Sequence, residues 1–420
     1  MATLGERIKN LRKQKGLTLQ ALAGDQLTKG MLSLIENNKA NPSMESLAYI
    51  AEQLQVDQNE LLESLPTHEL RSLLEKIEKL YTKELLSDEL IAKYKNIVKI
   101  LTPYLEQLPF RYESARLFEI YGYCSYHSKQ SGWEEALKKA EEIYESLHMI
   151  NQSADLHIFK AMMAFTEHRY KEALVLIQTS RKTFEERAGV LDPLKKLDFD
   201  YYESILYSAI GDGENAKRLM EEAIQYSKEH QVFYRIDALY RLAGFQAMLE
   251  EDTARKDYYI SKLHLFADFT EDDEVSAFAD AIEVHYLNSF AHDYHAALAL
   301  IDENLEKYPE DKIFMFTLEK GKALYGLGQF DEALVWLKKH ELWEFLHHPY
   351  DLSLHYEKDA YMALIYLELG DKELAIKHAT IAKDLIKPMP DFPYKTFILA
   401  VHKKVMAEQK PVTLSDGLLH

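Results

Sequence analysis

Between Leu17 and Pro42 the apolar positions Leu19, Leu22, Ala23, Leu27, Leu32 and Ile35 recur at helical spacing, which predicts two short helices sharing a small core. Thr18 and Thr28 stand where each helix would open, and a Ser or Thr there accepts from a free backbone N–H. Gly24-Asp25-Gln26-Leu27 supplies the turn between them, and Asn37-Asn38-Lys39 ends the second helix ahead of Asn41-Pro42. On that second helix Lys29, Ser33 and Asn37 fall at i, i+4 and i+8, with Gly30 and Leu34 beside them, so one polar face points away from the core.

Helical periodicity continues beyond this unit. Ser43 heads a helix with Met44, Leu47, Ile50, Ala51 and Leu54 inside. Residues 1–65 form a first domain, because Pro66 disfavours helix at Leu65 and Thr67 is placed to cap whatever follows. Residues 66–108 read as two amphipathic helices, broken near Ser87-Asp88 and ended by Thr102-Pro103, and serve either as a linker or as a degenerate first repeat.

From 109 to 410 one phrase recurs, a turn followed by a helix with an early Ala. Its anchors are Ala136, Ala173, Ala216, Ala297, Ala333 and Ala375, with Lys256 occupying the expected Ala place in a weaker copy. Successive anchors are 37, 43, 40, 41, 36 and 42 residues apart, a period that means helix hairpins which bury a continuous core only by stacking. The small anchor lets the two helices of a hairpin approach, Gly321 does the same from the facing helix, and Trp133, Tyr170 and Phe330 are placed to wedge between hairpins. The fold class is therefore all-α, with a helix-turn-helix head, a right-handed superhelix of at least seven hairpins and a C-terminal tail at 411–420.

Charge changes the picture. The 420 residues carry −19 at pH 7, an unfavourable sign for a protein held to DNA mainly by charge. Residues 1–40 depart from this: Arg7, Lys9, Arg12, Lys13, Lys15, Lys29 and Lys39 outnumber Glu6, Asp25 and Glu36, leaving +4 on the head and −23 on the remainder. One head is a weak binder, and a homodimer or higher homo-oligomer is expected. A single cysteine, Cys124, excludes an intramolecular disulfide framework and fits a cytoplasmic location. No apolar run is long enough to span a membrane, and no signal core opens the chain.

The polar face at Lys29, Gly30, Ser33 and Asn37 suits a DNA major groove, with Thr18, Gln20, Thr28 and Lys39 placed for phosphates; an ordinary surface hairpin would show the same pattern. Enzymatic readings fare worse. His292-Asp293-Tyr294-His295 lies on a repeat turn, His347-His348 precedes Pro349 in a loop, and the acids Glu271 to Glu274 suit a first helical turn, so neither catalytic nor metal-binding residues are assigned and no cofactor is implied. Gly321, Gly326 and Gly328 follow no strand, so they make no nucleotide loop. Counting back from the anchors, Tyr201, Tyr202, Arg241, Phe245, Tyr286, Ser289, Lys322 and Tyr325 fall on the inner helices. Aromatic and cationic groups there suit an extended peptide, although interior packing between hairpins would use the same residues.

Two resemblances organise these features. Residues 1–63 resemble the repressor-type helix-turn-helix domain of the lambda Cro and xenobiotic-response-element family, through Ile8-x-x-Leu11-Arg12-x-x-Lys15-Gly16-Leu17-Thr18, Leu22-Ala23, Leu32-Ser33-x-Ile35-Glu36, Pro42-Ser43 and Leu47-x-x-Ile50-Ala51. Leu19 stands where many members carry Gln, and Gly30, Met31 and Leu34 stand where small polar or basic residues are common. The hairpins resemble tetratricopeptide repeats. Head and repeats together resemble the peptide-sensing quorum regulators of Gram-positive bacteria, the group named for Rap, Rgg, NprR, PlcR and PrgX, and in length stand nearer the NprR branch. The resemblance implies a cytoplasmic, dimeric transcription regulator, binding a double-stranded DNA operator through its head and a short signalling peptide through its superhelix. Other members imply two alternatives: a superhelix that holds a response-regulator protein, as in the Rap branch, and a mobile-element repressor without a peptide ligand.

Overall fold

A computed structural model describes residues 3–58, 61, 65–83, 87–308, 314–342 and 346–408; the tail expected at 411–420 lies outside them. Among the described residues every regular element is helical and none is a strand, and no helix is long and apolar enough to cross a membrane. The chain divides into two compact units, Met1–Leu156 and His157–His420.

The first unit opens with four short helices, α1 (Leu4–Gln14), α2 (Leu19–Ala23), α3 (Lys29–Glu36) and α4 (Met44–Leu54). Three of the four caps read from the sequence pattern are in place: Thr18 accepts from Ala21 N, Thr28 from Met31 N and Ser43 from Ser46 N, each at 3.1 Å. Thr67, placed to cap the next helix, instead becomes its first residue and accepts from Arg111 Nη1 at 2.7 Å. The turn after α2 needs glycine twice over: Gly24 sits at φ 53°, and a Cβ there would meet Tyr49 Oη at 1.9 Å. Ile8, Leu22, Ala23, Leu32, Ile35, Leu47, Ile50 and Leu54 close the core around these helices. Two longer helices follow, α5 (Thr67–Leu80) and α6 (Asp88–Leu101), then a 3-10 turn at Thr102–Gln107 and the first hairpin, α7 (Tyr112–His127) with α8 (Trp133–Ser146). Cys124 is buried on α7, and burial pushes its thiol up to about 12.

The unit boundary falls inside α9 (Ile150–Thr166). The second unit continues with α10 (Tyr170–Ala188), α11 (Pro193–Ala209), α12 (Gly213–His230), α13 (Ile236–Leu249), α14 (Thr253–Thr270), α15 (Asp273–Tyr286), α16 (Tyr294–Lys307), α17 (Phe314–Gly326), α18 (Phe330–Lys339), α19 (Pro349–His355), α20 (Glu357–Glu368), α21 (Lys372–Ile386) and α22 (Pro393–Ala407). All six anchor alanines are buried beside a facing helix. Gly321 behaves as its partner: a Cβ would lie 2.6 Å from Leu337 Cδ2, so α17 and α18 touch at backbone distance. Lys256 also fills its Ala place while only 1% exposed, and it keeps its charge there by pairing with Glu283 and with Asp257 at 2.8 Å and lying 4.1 Å from the Tyr286 ring centre. Of the residues placed to wedge, Trp133, Tyr170 and Phe330 make ring contacts with Tyr126, Phe165 and Tyr325 of their own hairpins, and Tyr170 also reaches His347 beyond its hairpin.

Two departures from regular stacking shape the second unit. A π turn, Leu287–Ala291, puts an extra residue between α15 and its hairpin partner α16. Within the last anchor spacing of 42, residues 346–356 leave the regular hairpin order, with His348 reaching α11 at Ile205 and Tyr350 packing on Phe245 of α13.

Candidate functional site

In the first unit, α3 presents its N-terminal end to solvent. Lys29, Gly30, Met31 and Leu34 are exposed, Ser33 is half-buried, and Leu32, Ile35 and Glu36 face inward. Thr18, Gln20, Thr28, Asn37 and Lys39 are also exposed, so of the eight residues named for DNA seven are exposed and Ser33 is half-buried. Among the described residues no ion pair or side-chain hydrogen bond ties down Gln20, Lys29 or Lys39. Asn37 is less free than the sequence suggests, since its Nδ2 donates to Ser33 O at 2.8 Å and its Oδ1 accepts from Lys9 Nζ at 3.5 Å.

The angle at which α3 is presented depends on two contacts that sequence reasoning did not assign. Arg12 on α1 forks onto Glu36 on α3, Nε at 2.6 Å and Nη2 at 2.8 Å, and its Nη1 donates to Leu17 O at 2.8 Å. The Glu36 bond is the main reason the Arg12 guanidinium titrates above its ordinary range. Just beyond α3, Asn38 takes a left-handed φ of 56°, donates to the Thr3 hydroxyl and accepts from Gly5 N at 3.1 Å, which pins the end of α3 to the start of α1. Both pairs join residues more than twenty apart, and only their presence in the quoted motif hinted at them.

The second unit holds a cavity of about 410 Å³. Its wall is mostly apolar: Met162 and Phe165 from α9, Tyr201 and Ile205 from α11, Ala238, Leu242 and Phe245 from α13, Phe278 and Ala281 from α15, and Met315 from α17. Arg241, His285 and Glu319 add polar groups, and Leu346, His347, His348, Asp351, Leu354 and His355 form the remaining side. That closing segment is tied in along its length. Tyr170 Oη donates to His347 O at 2.8 Å, the His348 ring lies 3.3 Å from Ile205 O, and the Tyr350 ring packs 5.6 Å from Phe245 while its hydroxyl meets Tyr394 Oη at 2.5 Å. His348 also caps α19, accepting from Tyr350 N at 3.2 Å, and burial lowers its ring to about 4.

Of the eight residues expected in the groove, Tyr201, Arg241 and Phe245 line this cavity. Tyr202 accepts from Arg235 Nη2 at 3.1 Å instead, and Tyr325 packs against Phe330 and Tyr361. Tyr286 misses it because the π turn shifts the count by one: cavity-facing residues lie 15 and 11 before the anchor on α11 and α13, but 16 and 12 before it on α15, which selects Ala281 and His285, while Ser289, within the turn, accepts from Lys322 Nζ instead. Tyr286 instead stacks on Phe290. Lys322 has the right count but no exposed surface, because its ammonium is enclosed by Glu357 at 2.8 Å, Glu319 at 3.1 Å and the Ser289 hydroxyl at 2.7 Å.

This enclosure is a network. His285 Nδ1 meets Glu319 Oε1 at 2.7 Å, its Nε2 meets Tyr394 Oη at 2.8 Å, and Asn288 donates to Glu319 Oε2 at 2.8 Å. Burial works to raise the Glu319 carboxyl, but Lys322 and His285 outweigh it and hold it below the usual carboxylate range. Asp351, on α19, is the contrasting case: burial pushes its carboxyl up to about 6 with only partial relief from Arg241.

Comparison with known proteins gives the following. Residues 5–64 match a family model described as a helix-turn-helix domain. No curated protein matches the chain. Among solved structures, the chain is similar to PlcR of Bacillus thuringiensis in complex with the peptide PapR7 and DNA, at 20% identity over 67% of this chain and 99% of that one, TM-score 0.36. It is also similar to the competence regulator ComR of Streptococcus vestibularis in complex with its signalling peptide XIP, at 18% identity over 66% and 96%, TM-score 0.39. A third is the pheromone receptor Rgg2 of Streptococcus dysgalactiae, at 15% identity over 68% and 98%, TM-score 0.30. Residues 5–64 are thus a helix-turn-helix domain, and among the described residues every regular element that follows it is helical.

Proposed function

We propose that the protein is a cytoplasmic transcription regulator, without enzymatic activity, which binds operator DNA through α3 and senses a short peptide in the cavity of its second unit. The observation that carries the reading is the exposed, positively charged N-terminal end of α3 within a matched helix-turn-helix domain. Major-groove readers of this type use the side chains near that end of the second helix. Lys29, Gly30 and Ser33 take the base edges, Thr18, Gln20, Thr28 and Lys39 the phosphates, and Met31 and Leu34 offer apolar contact to thymine methyls. Asn37 contributes at the rim, because its amide is already engaged by Ser33 O and Lys9. The acidic remainder of the chain makes a single head weak, so binding calls for a homodimer on two half-sites. Peptide contacts fall to Tyr201, Arg241 and Phe245, where an aromatic and cationic wall meets a mostly apolar, half-open cavity. Ligand binding then biases the arrangement of the paired heads.

The test is operator selection from random duplexes followed by footprinting. Ser33→Ala combined with Lys29→Ala should weaken specific binding by about 2–4 kcal/mol while α3 stays folded. Unchanged binding to the selected sequence would remove the assignment of α3.

A further inference from the structure

The cavity in the second unit carries two side chains of opposite charge that do not close on each other. Arg241 reaches it from α13, held only loosely by Asp237 at 3.7 Å and lying 4.8 Å from the Phe278 ring centre. Asp351 reaches it from α19, on the segment that crosses the groove. Among the described residues no hydrogen bond or ion pair meets the Asp351 carboxylate. Every other deeply placed acid of this region is engaged: Glu319 by His285, Asn288 and Lys322, Glu357 by Lys322, and Asp198 by Lys195, Tyr234 and Arg235. The Asp351 carboxylate is half-buried, with no cation or donor of its own, so a donor arriving in the cavity gains a charge-assisted contact there without displacing an internal partner. The residues just before Asp351 are held in place, through His347, His348 and Tyr350, so the carboxylate is presented to the cavity from a braced support.

We propose that this cavity takes the amino-terminal end of a short, mainly apolar peptide, with Asp351 receiving the free ammonium group and Arg241 facing carbonyl or carboxylate oxygens further along. The proposal rests on the peptide-sensing reading above and specifies its ligand. Volume limits the length: about 410 Å³ lies within the range of small-ligand sites, so only a few residues enter and the rest of any longer peptide stays outside. A neutral or acetylated end would leave Asp351 unpartnered and add its own unmet polar groups.

Full-length protein is dialysed to equilibrium against a mixture of tetrapeptides built from Phe, Leu, Ile, Val and Met. One pool has free amino termini and the other is N-acetylated, and retained species are quantified by mass spectrometry. The wild type should retain free-amine peptides about tenfold or more over their acetylated counterparts, the scale of one charge-assisted contact in a sheltered site. Asp351→Asn, which removes no internal partner and keeps the shape, should abolish that preference without lowering retention of the acetylated pool; its folding is checked by thermal melting. Equal retention of both pools by the wild type overturns the role of Asp351 and leaves peptide sensing intact. A preference that survives in Asp351→Asn likewise overturns it. Retention of neither pool overturns both readings. Should Asp351→Asn not fold, the wild-type comparison between pools decides alone.

Discussion

The helix-turn-helix head and the repeat unit handle polar groups in opposite ways, and the contrast separates what each is for. The head invests one buried ion pair, Arg12 with Glu36, in fixing α3, and leaves Gln20, Lys29 and Lys39 in water without internal partners. Its recognition face is polar because nothing inside needs it. The repeat unit turns comparable residues inward: Lys256 and Lys322 are both nearly or wholly enclosed, each beside two carboxylates. A charged side chain near a functional surface therefore means something different in the two regions. In the head it is available; in the stack it is usually already engaged, and Arg241 and Asp351 stand out because they are not closed in this way.

The sharpest way to break the comparison is to remove a charge the stack has enclosed. Lys322→Met leaves Glu319 and Glu357 close together with no ammonium between them, and the loss should reach about 3–5 kcal/mol, read as a lowered denaturation midpoint of the second unit. If the variant melts like wild type, Lys322 is not the centre of the network, and its expected place on the groove would have to be reconsidered.

Acid should act next most strongly, again on the repeat unit. The rings of His340 and His355 stack 4.9 Å apart, His340 Nε2 meets His355 Nδ1 at 2.8 Å, and His340 Nδ1 meets the Thr317 hydroxyl at 2.8 Å. Burial is the main reason both stay neutral, lowering His340 to about 3 and His355 to about 4; His355 and Lys358 add to the effect at His340, and His285 and Lys322 add to it at His355, while Glu319 opposes it at both. Unfolded histidines take up protons near pH 6.5 whereas these do not, so the unfolded chain binds more protons between that point and pH 4. Stability should be level above about pH 7 and fall as the pH drops, by on the order of 1–2 kcal/mol for each ring at pH 5. Urea midpoints from pH 8 to 5 check this, and His340→Gln should flatten the curve.

How much of each region the sequence disclosed follows the same contrast. The head is built from contacts close along the chain, so its caps at Thr18, Thr28 and Ser43, its left-handed Asn38 and its core could all be read from local spacing. What escaped was Arg12 to Glu36, a pairing between helices. In the repeat unit the anchors disclosed the hairpins, but the groove positions depend on exact counts across each hairpin. One added residue in the π turn displaced Tyr286, and the segment ending at Tyr356 gave no periodic sign that it would leave the stack and form a wall of the cavity. Nothing in the sequence around Asp351 marks it out; only the surrounding side chains distinguish it.

The smallest predicted effect tests whether the head can be perturbed on its own. Thr28 accepts from Met31 N at 3.1 Å and is exposed, so Thr28→Ala removes one cap bond and little else. The expected cost is about 1 kcal/mol, confined to the first turn of α3. Hydrogen exchange should show the Met31 amide losing its shelter while amides of α13 and α17 exchange at unchanged rates. Operator affinity should fall by more than this stability change alone requires, because the same hydroxyl is assigned to a phosphate. An affinity loss matching the stability change would reduce Thr28 to a cap and leave Gln20 and Lys39 as the phosphate contacts. Slower or faster exchange in α17 would mean that the head and the repeat unit are energetically joined, and the separation drawn between them would have to be given up.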